Sequence, residues 1–382
     1  MNYAKEYDVA IIGGGLAGLA TSILLRHKGY AVILFEKEKF PFHKVCGEYI
    51  SMESWDFIEK LGIPLRDLSL PLIKQLFLTA PGGKSFITTL PLGGFGISRY
   101  KLDHLLAQKA IEAGVHLMEE TKVQDVSLGN EFLVEAQSKL QGSIQVKAKV
   151  CCSAHGKKSN LDLKWKREYL HQKSRLDNYV AVKYHIRTHW QADLIGLHNF
   201  ENGYCGIAKI EEDKYCCCYL TTAQNLKISG NNIKSMEENI LSVNPHLGKI
   251  FSNMDVLPGF PVTISQVSFQ KKSQVENGIL MLGDAAGMIT PLCGNGMSIA
   301  MHTAKIADAA IHDFLQNKTT RNVMEQRYVA EWKQNFSRRL LTGRILQGFF
   351  GSKLSSNIFV SMFRTFPFLA KPVVKMTHGE PF

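Results

Sequence analysis

The segment from Asp8 to Glu36, DVAIIGGGLAGLATSILLRHKGYAVILFE, decides the fold of this 382-residue chain. Residues 9–12 are all apolar and end at a glycine, which is typical of a strand buried on both faces of a parallel sheet. A helical pattern of apolar residues follows and ends near Gly29. Residues 31–35 predict a second strand. Strand, glycine loop, helix and strand in this order predict a Rossmann-like unit.

The glycine loop has the spacing of a dinucleotide-binding site. Gly13, Gly15 and Gly18 fit G-x-G-x-x-G, in which the glycines permit a tight turn, a close approach of backbone to a pyrophosphate, and close packing of helix on strand. The free N–H groups at the helix start favour negative charge. Glu36 lies roughly 20 residues on, where a carboxylate can bind ribose hydroxyls. A glycine-rich turn without a ligand is the alternative, and the ordered elements around the loop make it the weaker one.

A second glycine-rich segment, GDAAGMITPLCGNGMSIA, spans residues 283–300. It follows the apolar strand pattern of residues 277–282 and leads into a predicted helix from Met297. Asp284 is placed just beyond the strand, at the edge of the sheet where ligands of such folds bind. An ordinary strand-loop-helix unit explains the same pattern, so by itself this segment leaves the two alternatives open.

The net charge of +11 is concentrated at the C-terminal end. From Lys318 onward the chain has eleven basic and three acidic residues, together with an apolar stripe that includes Leu341, Ile345 and Phe349. Basic residues beside large apolar ones suit an anionic membrane surface. Helices that pack their apolar faces on the body explain the pattern too, and this is the favoured interpretation. We expect no nucleic-acid partner, because no motif of a nucleic-acid-binding fold accompanies the charge.

The eight cysteines form no C-x-x-C pair, so we expect neither a metal site nor a disulfide framework. Neighbouring side chains in Cys216–Cys218 would point to opposite faces of a strand and could not share one metal ion. The first strand begins within about ten residues of the start, and no segment offers about 18 uncharged apolar residues. A reduced, cytoplasmic setting is therefore expected, with membrane association as the alternative.

Strand patterns divide the chain into three parts. Residues 71–95 and 167–266 alternate in the β manner with few helical segments, which predicts a second, antiparallel sheet that faces the substrate. The predicted fold is α/β at the dinucleotide-binding domain and α+β overall. The expected parts are a discontinuous dinucleotide-binding domain (1–70, 96–166 and 267–316), a substrate domain (71–95 and 167–266) and a basic, apolar helical C-terminal region (317–382).

Taken together, the motifs resemble a known family. GGGLAG with Glu36, ISRYKLDHLLAQKA, SAHGKKS and GDAAGMITPLCGNGMS occur in the order and spacing of the FAD-dependent oxidoreductases. That superfamily includes para-hydroxybenzoate-hydroxylase-type monooxygenases, geranylgeranyl reductases and flavin-dependent halogenases. The likeness covers residues 5 to about 315 and implies an FAD enzyme.

The resemblance also implies roles for individual residues. The adenosine and pyrophosphate half of FAD would contact Gly13, Gly15, Leu16, Ala17, Gly18, Glu36, Lys37 and Val123. The flavin half would contact Lys44, Cys46, Gly47, Arg99, Asp284, Gly294, Asn295, Gly296 and Met297. Cys46 is expected to be a wall residue rather than a catalytic thiol, because no base lies beside it in the sequence.

One motif departs from the family. Its G-A-D-G-x-x-S pattern appears here as residues 153–159, SAHGKKS, with His155 in place of the acid. In the family that acid helps to organise the FAD diphosphate and the approach of NAD(P)H, so the electron donor is NAD(P)H or another compound. We expect His155 to be a surface substitution; a preference for a more anionic donor is the alternative.

Three reactions fit the resemblance. A halogenase would carry W-x-W-x-I-P and a lysine near the substrate, but the four tryptophans lie far apart. A prenyl reductase would carry an aromatic segment where this chain has Tyr204–Lys209, YCGIAK, with small side chains. The leading hypothesis is a flavin monooxygenase that acts on an apolar small molecule in a dry cavity. No side chain is required as a nucleophile, so no catalytic residue is predicted.

Overall fold

The computed structural model describes residues 5–171 and 178–382. Residues 1–4 of the predicted dinucleotide-binding domain and residues 172–177 of the predicted substrate domain lie outside the described residues. The strands are β1 (Lys5–Ile12), β2 (Val32–Phe35), β3 (Tyr49–Ser51), β4 (Leu72–Thr79), β5 (Ser85–Gly96), β6 (His116–Met118), β7 (Thr121–Leu128), β8 (Phe132–Ser138), β9 (Gly142–Ser153), β10 (Tyr179–Arg187), β11 (Leu194–Phe200), β12 (Gly203–Lys209), β13 (Tyr215–Thr222), β14 (Asp255–Val256), β15 (Val262–Val267), β16 (Val275–Glu276) and β17 (Ile279–Met281).

The helices connect and cover these strands. They are α1 (Leu16–His27), α2 (Trp55–Lys60), α3 (Arg99–Glu112), α4 (Asn160–Lys164), α5 (Ala223–Ile228), α6 (Ile233–Asn239), α7 (Pro245–Asn253), α8 (Gly296–Leu315), α9 (Arg321–Gln347), α10 (Lys353–Thr365) and α11 (Ala370–Thr377). Short 3-10 turns lie at Met52–Ser54, Leu65–Leu68, Glu168–Leu170, Leu241–Val243, Gly283–Ala285, Pro291–Cys293 and Pro367–Leu369.

The first sheet has eight strands, with β16-β17-β9-β1-β2-β6 as its main path and β7 and β8 attached to β9 as a meander. The pairs β17-β9, β9-β1, β1-β2 and β2-β6 are parallel. β1 is buried on both faces from Val9 to Ile12, as its apolar run requires. The carboxyl ends of these strands meet at one edge, where the glycine loop and the Asp284 segment begin.

The second sheet has nine strands, with β14-β10-β13-β12-β11-β4-β5-β3 as its main path and β15 on β10. The two segments expected to form this sheet, residues 71–95 and 167–266, supply β4, β5 and β10 to β14. The sheet is antiparallel except at β4 and β11, which pair in parallel with Leu78 opposite Leu197.

The predicted α/β fold with a second sheet and a helical C-terminal region is confirmed. The residue boundaries of the three predicted domains stay predictions.

The C-terminal helices pack on both sheets with their inner faces. Tyr328, Trp332 and Phe336 of α9 join the core of the first sheet. Phe359 and Phe363 of α10 join Leu78 and Ala80 in a separate cluster against the β4-β5 hairpin. The favoured packing interpretation is thus correct for the inner faces.

The stripe named from the sequence lies on the outside instead. Leu341, Ile345 and Phe349 are 56%, 57% and 41% exposed. Among the described residues, no helix is both long and apolar enough to cross a membrane.

A buried ion pair fastens the C-terminal region to the body. Arg339 Nη2 of α9 lies 2.8 Å from Glu53 Oε1, in the turn that follows β3. The Glu53 side chain is fully buried and the Arg339 side chain is 9% exposed. Because burial removes the solvation of both charges, each depends on the other for compensation.

Substitution of Arg339 should therefore be costly. We expect Arg339→Met to lower the free energy of unfolding by about 3 to 5 kcal/mol, because Glu53 would be left as an uncompensated buried charge. The adjacent Arg338 is exposed, and Arg338→Met should change it by less than about 0.5 kcal/mol. Urea unfolding of both variants measures the difference, and equal effects would contradict the structural role of the pair.

Candidate functional site

The glycine loop between β1 and α1 has no room for side chains where the backbone packs, and open space where a ligand would lie. Gly13 has φ +100°, and a Cβ atom there would lie 2.5 Å from Ala154 O. A Cβ atom on Gly18 would lie 2.0 Å from Gly13 O. A Cβ atom on Gly15 would lie 4.0 Å from its nearest neighbour, Arg99 Nη2. This is the space that a bound pyrophosphate requires beside the helix start.

Glu36 is buried at the end of β2 and holds the loop. Its Oε2 accepts a hydrogen bond of 2.8 Å from the N–H of Gly14, and its Oε1 accepts one of 3.1 Å from the N–H of Glu38. Lys37, which the resemblance assigned to the same half of FAD, is exposed, and its ammonium lies 3.9 Å from Glu38 Oε1. Val123 is buried in β7, two residues after Thr121, whose N–H donates to Glu36 O. Glu36 and Val123 therefore lie close together, while the Lys37 side chain points away into solvent.

Two cations lie beside the glycine loop. Lys44 Nζ donates to Gly14 O at 3.3 Å and lies 2.9 Å from Asp103 Oδ2, and Arg99 Nε lies 2.7 Å from Asp103 Oδ1. Burial alone would raise the pKa of Asp103, but Arg99 and Lys44 lower it below its usual value. The carboxylate is thus ionised and fixes both cations where a diphosphate would need them.

The loop that contains Lys44 and Cys46 is anchored on the second sheet. Glu48 has φ +55° and a fully buried carboxylate, which pairs with Lys183 Nζ and lies 2.6 Å from His185 Nε2. Burial by itself raises the pKa of Glu48, but Lys183 and then His185 lower it. Cys216 Sγ donates to Cys46 O at 3.2 Å. The predicted flavin-side loop is therefore held by buried charges on β10 and a thiol on β13.

Glu48, His185 and Cys216 also place three ligand atoms within 4.8 Å of one another, a spacing that could hold a metal ion. The Lys183 ammonium lies on the same carboxylate. Because the Lys183 ammonium already compensates the Glu48 carboxylate, we interpret these residues as a buried ion-pair cluster.

The Asp284 segment rests on lysines that the sequence did not indicate. Lys272 Nζ donates to Asp284 O at 2.9 Å and to Lys157 O at 2.7 Å. Burial lowers the pKa of Lys272 to about 8, with the Asp284 carboxylate opposing the shift. Burial also lowers the pKa of Lys157, which lies within electrostatic range of Asp284, Cys46 and Arg99. The Lys157 side chain thus lies in the region between the glycine loop and Asp284, where a dinucleotide would extend.

His155 is not the surface substitution that the sequence predicted. Its side chain is only 5% exposed, with Nδ1 2.7 Å from Ser153 Oγ and Nε2 3.1 Å from Asp162 Oδ1. Asp162 in turn lies 2.9 Å from Arg167 Nη1, which also donates to Ala285 O at 3.0 Å. Burial lowers the pKa of His155, and Asp162 opposes the shift. The residue is a structural support under the Asp284 segment.

The predicted flavin loop lies at the start of α8. Gly294 has φ +67°, and a Cβ atom there would lie 2.9 Å from the ring of Tyr49. The side chain of Asn295 is buried and donates to Thr377 O of α11. Met297 is buried in the first turn of α8, which begins at Gly296. The loop is therefore in contact with the C-terminal region, and Asn295 directs its amide there.

An apolar pocket extends from this loop between the second sheet and the C-terminal helices. Its cavity volume is about 100 Å³, and the pocket is partly open to solvent. The lining is mostly aliphatic and aromatic: Tyr49, Leu76, Leu78, Phe86, Thr88, Leu90, Ile195, Leu197, Leu292, Gly294, Leu346, Phe350, Phe359, Phe363, Ala370, Val373, Val374, Thr377 and His378.

Strand β12 turns only alternate side chains toward this side of the sheet. Cys205 and Ile207 belong to the core on the opposite face, while Ala208 packs with Tyr49. A Cβ atom on Gly206 would have no neighbour closer than 3.7 Å. Residues 204–209 are not among the residues that line the apolar pocket, so the space expected from their small side chains is not part of it.

The sequence analysis did not identify several of these residues. Asp103 follows Arg99 by one helical turn, so the spacing in ISRYKLDH contained a usable signal. Glu48 and Lys183 are 135 residues apart, and only the fold brings them together.

Comparisons with known proteins agree with this geometry. A family model described as an FAD binding domain matches residues 6–188, and one described as squalene epoxidase matches residues 213–342. The chain is 23% identical to conditioned medium factor receptor 1 of Dictyostelium discoideum, over 86% of this chain and 68% of that protein. It is 25% identical to digeranylgeranylglycerophospholipid reductase of Methanococcus vannielii, over 88% and 85%. The structure of a flavin-dependent brominase matches with a TM-score of 0.79 at 20% identity, covering 98% of this chain and 93% of that one.

Lys44 offers a test of the cation arrangement. We expect Lys44→Met to weaken FAD binding by about tenfold, because a charge-assisted contact to the diphosphate would be lost. Lys39→Met, at an exposed lysine of the same loop, should leave the affinity unchanged. Titration of the apoprotein followed by flavin fluorescence gives both dissociation constants, and wild-type affinity in Lys44→Met would remove Lys44 from the cofactor site.

Proposed function

This chain belongs to the FAD-dependent oxidoreductases of the para-hydroxybenzoate hydroxylase and geranylgeranyl reductase superfamily, and we propose that it is a monooxygenase of apolar small molecules. It is an enzyme and its cofactor is FAD. Bound FAD supplies two-electron redox chemistry. The adenosine and pyrophosphate half of FAD fits the open space beside Gly15, next to Glu36 and the cations Lys44 and Arg99. The Asp284 segment would hold the flavin half.

The apolar pocket carries the proposal. Its lining combines aliphatic residues of the second sheet with aromatic residues of α10, and it reaches Gly294 at the predicted flavin loop. A pocket of this composition selects apolar compounds and excludes water from the reacting groups. Oxygen chemistry benefits from this exclusion, because water otherwise competes for reactive intermediates.

The proposed reaction balances with a nicotinamide donor. One atom of O2 would enter a C–H bond of the substrate and the other would leave as water. NAD(P)H would provide a hydride and the solvent a proton. The protein would position the substrate and keep the pocket dry, so no side chain has to form a covalent bond. The match of residues 213–342 to the squalene epoxidase model supports oxygenation of an apolar molecule.

Two alternative reactions share the fold. Reduction of carbon–carbon double bonds is supported by the likeness to the digeranylgeranylglycerophospholipid reductase. Halogenation is less well supported, because none of the residues lining the pocket is a lysine. The donor is NAD(P)H or another compound. The buried position of His155 removes it from direct contact with a donor in solution.

Two tryptophan substitutions at neighbouring positions of β5 test whether the substrate occupies the pocket. Thr88 of β5 lines the pocket, whereas the neighbouring Ile87 is 54% exposed. We expect Thr88→Trp to reduce substrate-stimulated NADPH oxidation at least about tenfold, because the indole fills the substrate space. Ile87→Trp should retain it, and both variants should keep their bound flavin.

The same assay separates the reactions when oxygen uptake is recorded with a panel of apolar compounds. Monooxygenation predicts that oxygen is consumed with the substrate. Loss of the substrate without oxygen consumption would replace this proposal with reduction, and equal activities of Thr88→Trp and Ile87→Trp would place the substrate elsewhere.

We also propose that the outer face of the C-terminal region contacts an anionic membrane surface. Leu354, Ile358 and Phe366 of this region are 73%, 61% and 48% exposed, and Phe368 is 69% exposed. Ile358 and Phe366 line one shallow groove, and the rings of Phe366 and Phe368 lie 6.1 Å apart. α10 thus has apolar side chains on two sides. Its inner side packs against the second sheet, and its outer side is exposed to solvent.

Charge identifies the occupant of this face as an anionic bilayer. Residues 332–379 contain no Asp or Glu, while Lys353, Arg364, Lys371 and Lys375 are exposed among the apolar side chains. Each basic residue near an anionic bilayer contributes about 1 kcal/mol, and inserted apolar side chains add to it. A protein partner would have to supply both an acidic and an apolar surface.

Vesicle sedimentation tests this contact. We expect the wild-type protein to bind phosphatidylglycerol-containing vesicles, and to bind pure phosphatidylcholine vesicles less well, with the difference decreasing as salt is added. The variant Ile358→Ser/Phe366→Ser/Phe368→Ser should bind about tenfold more weakly.

Leu140→Ser/Leu163→Ser is the matched control, because these side chains are 84% and 58% exposed elsewhere on the body. It should bind vesicles like the wild type. If the wild-type protein stays in the supernatant, or if the triple variant sediments as well as the control, the membrane contact is wrong.

A further inference from the structure

The segment that begins at the end of α11 crosses the buried ion pair between α9 and the turn after β3. We call residues 377–382 the strap. A Cβ atom on Gly379 would overlap Glu53 Oε2 and would lie 2.6 Å from Arg339 Nη1. The backbone of the strap therefore lies directly against both side chains, and a glycine is needed at this point of close approach.

An aromatic contact fixes the far end of the strap to α8. The ring of Phe382 stacks on His302 of α8, with centroids 4.2 Å apart and planes inclined by 8°, and its centroid lies 5.1 Å from that of Phe57. Burial, followed by the charges of Lys305 and Arg339, lowers the pKa of His302 to about 4. The imidazole is therefore neutral at pH 7 and suits an apolar stack. The strap is thus attached to the helix that begins at the predicted flavin loop.

The near end of the strap reaches the flavin loop through one hydrogen bond. Thr377 is the last residue of α11, where a helix leaves carbonyl groups without an intrahelical partner. The side-chain amide of Asn295 donates to one of them, Thr377 O. Thr377 and His378 also line the apolar pocket, together with Gly294. The strap is therefore in contact with both the pocket and the start of α8.

Asn295 occupies the N-cap position of α8, but its side chain does not cap the helix. Its carbonyl accepts the first helical hydrogen bond, from the N–H of Ile299 at 3.0 Å, while its side chain makes no hydrogen bond to the first turn. An asparagine at this position normally accepts from the second or third N–H of the helix. Because its amide is bound to Thr377 O instead, Asn295 leaves those N–H groups to water or a ligand. The flavin ring carries carbonyl oxygens that can accept from them.

We infer that the strap positions the cofactor site: it holds the Asn295 side chain on α11 and so keeps the first N–H groups of α8 open for the flavin half of FAD. When the strap is displaced, the Asn295 side chain is released to cap α8 and to cover those groups. Asn295, Gly379 and Phe382 are thus positioning residues. The inference goes beyond the proposed reaction, because it depends on FAD as the cofactor and on the predicted flavin loop, whichever reaction follows.

FAD and ADP provide a matched pair of probes, because ADP shares only the adenosine and pyrophosphate half of FAD. Titration of the apoprotein with FAD, followed by flavin fluorescence, and calorimetric titration with ADP give both dissociation constants without turnover. We expect Phe382→Ala and Gly379→Val, which displace the strap at its two anchors, to weaken FAD binding about fivefold. Both variants should bind ADP within about twofold of the wild type, because the glycine loop after β1 is unchanged.

Glu380→Gln is the matched control, because Glu380 is exposed between the two anchors. It should bind FAD and ADP like the wild type. Wild-type FAD affinity in the two strap variants would overturn the inference. An equal loss of FAD and ADP affinity would overturn it too, because the strap would then support only the fold as a whole.

A rescue experiment tests the role of Asn295 in particular. Alanine has no side-chain acceptor with which to cap α8. The double variant Phe382→Ala/Asn295→Ala should therefore bind FAD at least about threefold more tightly than Phe382→Ala alone. A strap with a merely structural role predicts a further loss instead. If the double variant binds FAD no better than Phe382→Ala, Asn295 does not compete for the start of α8 and the inference is wrong.

Discussion

The buried carboxylate of Glu48 is the constraint on which the arrangement of the site depends. It lies at the end of the loop that carries Lys44 and Cys46, and it is paired with Lys183 and His185 of the second sheet. It also accepts the N–H of Arg99, at 2.7 Å. One buried charge cluster thus connects the flavin-side loop, the start of α3 and the substrate-facing sheet. Because a buried ion cannot lose its partner without a large cost, these three elements keep one relative position.

The C-terminal region completes the enclosure. α9 is fixed by Arg339 on Glu53, and α11 is fixed by Thr377 on Asn295. Between these two contacts, α10 and α11 form one wall of the apolar pocket. The region therefore has two faces with separate roles: its inner face shapes the pocket, and its outer face carries exposed apolar and basic side chains. The membrane contact proposed above would bring a bilayer to the side of α10 opposite the pocket.

The first sheet could be predicted from the sequence, because its signals are local. One short segment contains the glycines of the turn, the start of the helix and the acid Glu36. In the structure the glycine loop and Glu36 are in contact. The second sheet was predicted only in outline, since the parallel pairing of β11 with β4 depends on contacts about 120 residues apart. His155 was misjudged for a similar reason: its partner Asp162 is close in sequence, but Arg167 and the Asp284 segment bury the pair only in the folded chain. The apolar pocket brings Tyr49, Gly294 and His378 together, and no periodicity relates such distant positions.

We propose that this protein uses FAD to oxidise an apolar molecule with molecular oxygen. The most direct measurement is turnover of an apolar compound under isotopically labelled oxygen gas, with mass spectrometry of the product. Monooxygenation predicts a product that carries one labelled oxygen atom, with the second label in water. A product that lacks the label and has gained two hydrogen atoms would contradict it and establish a reductase.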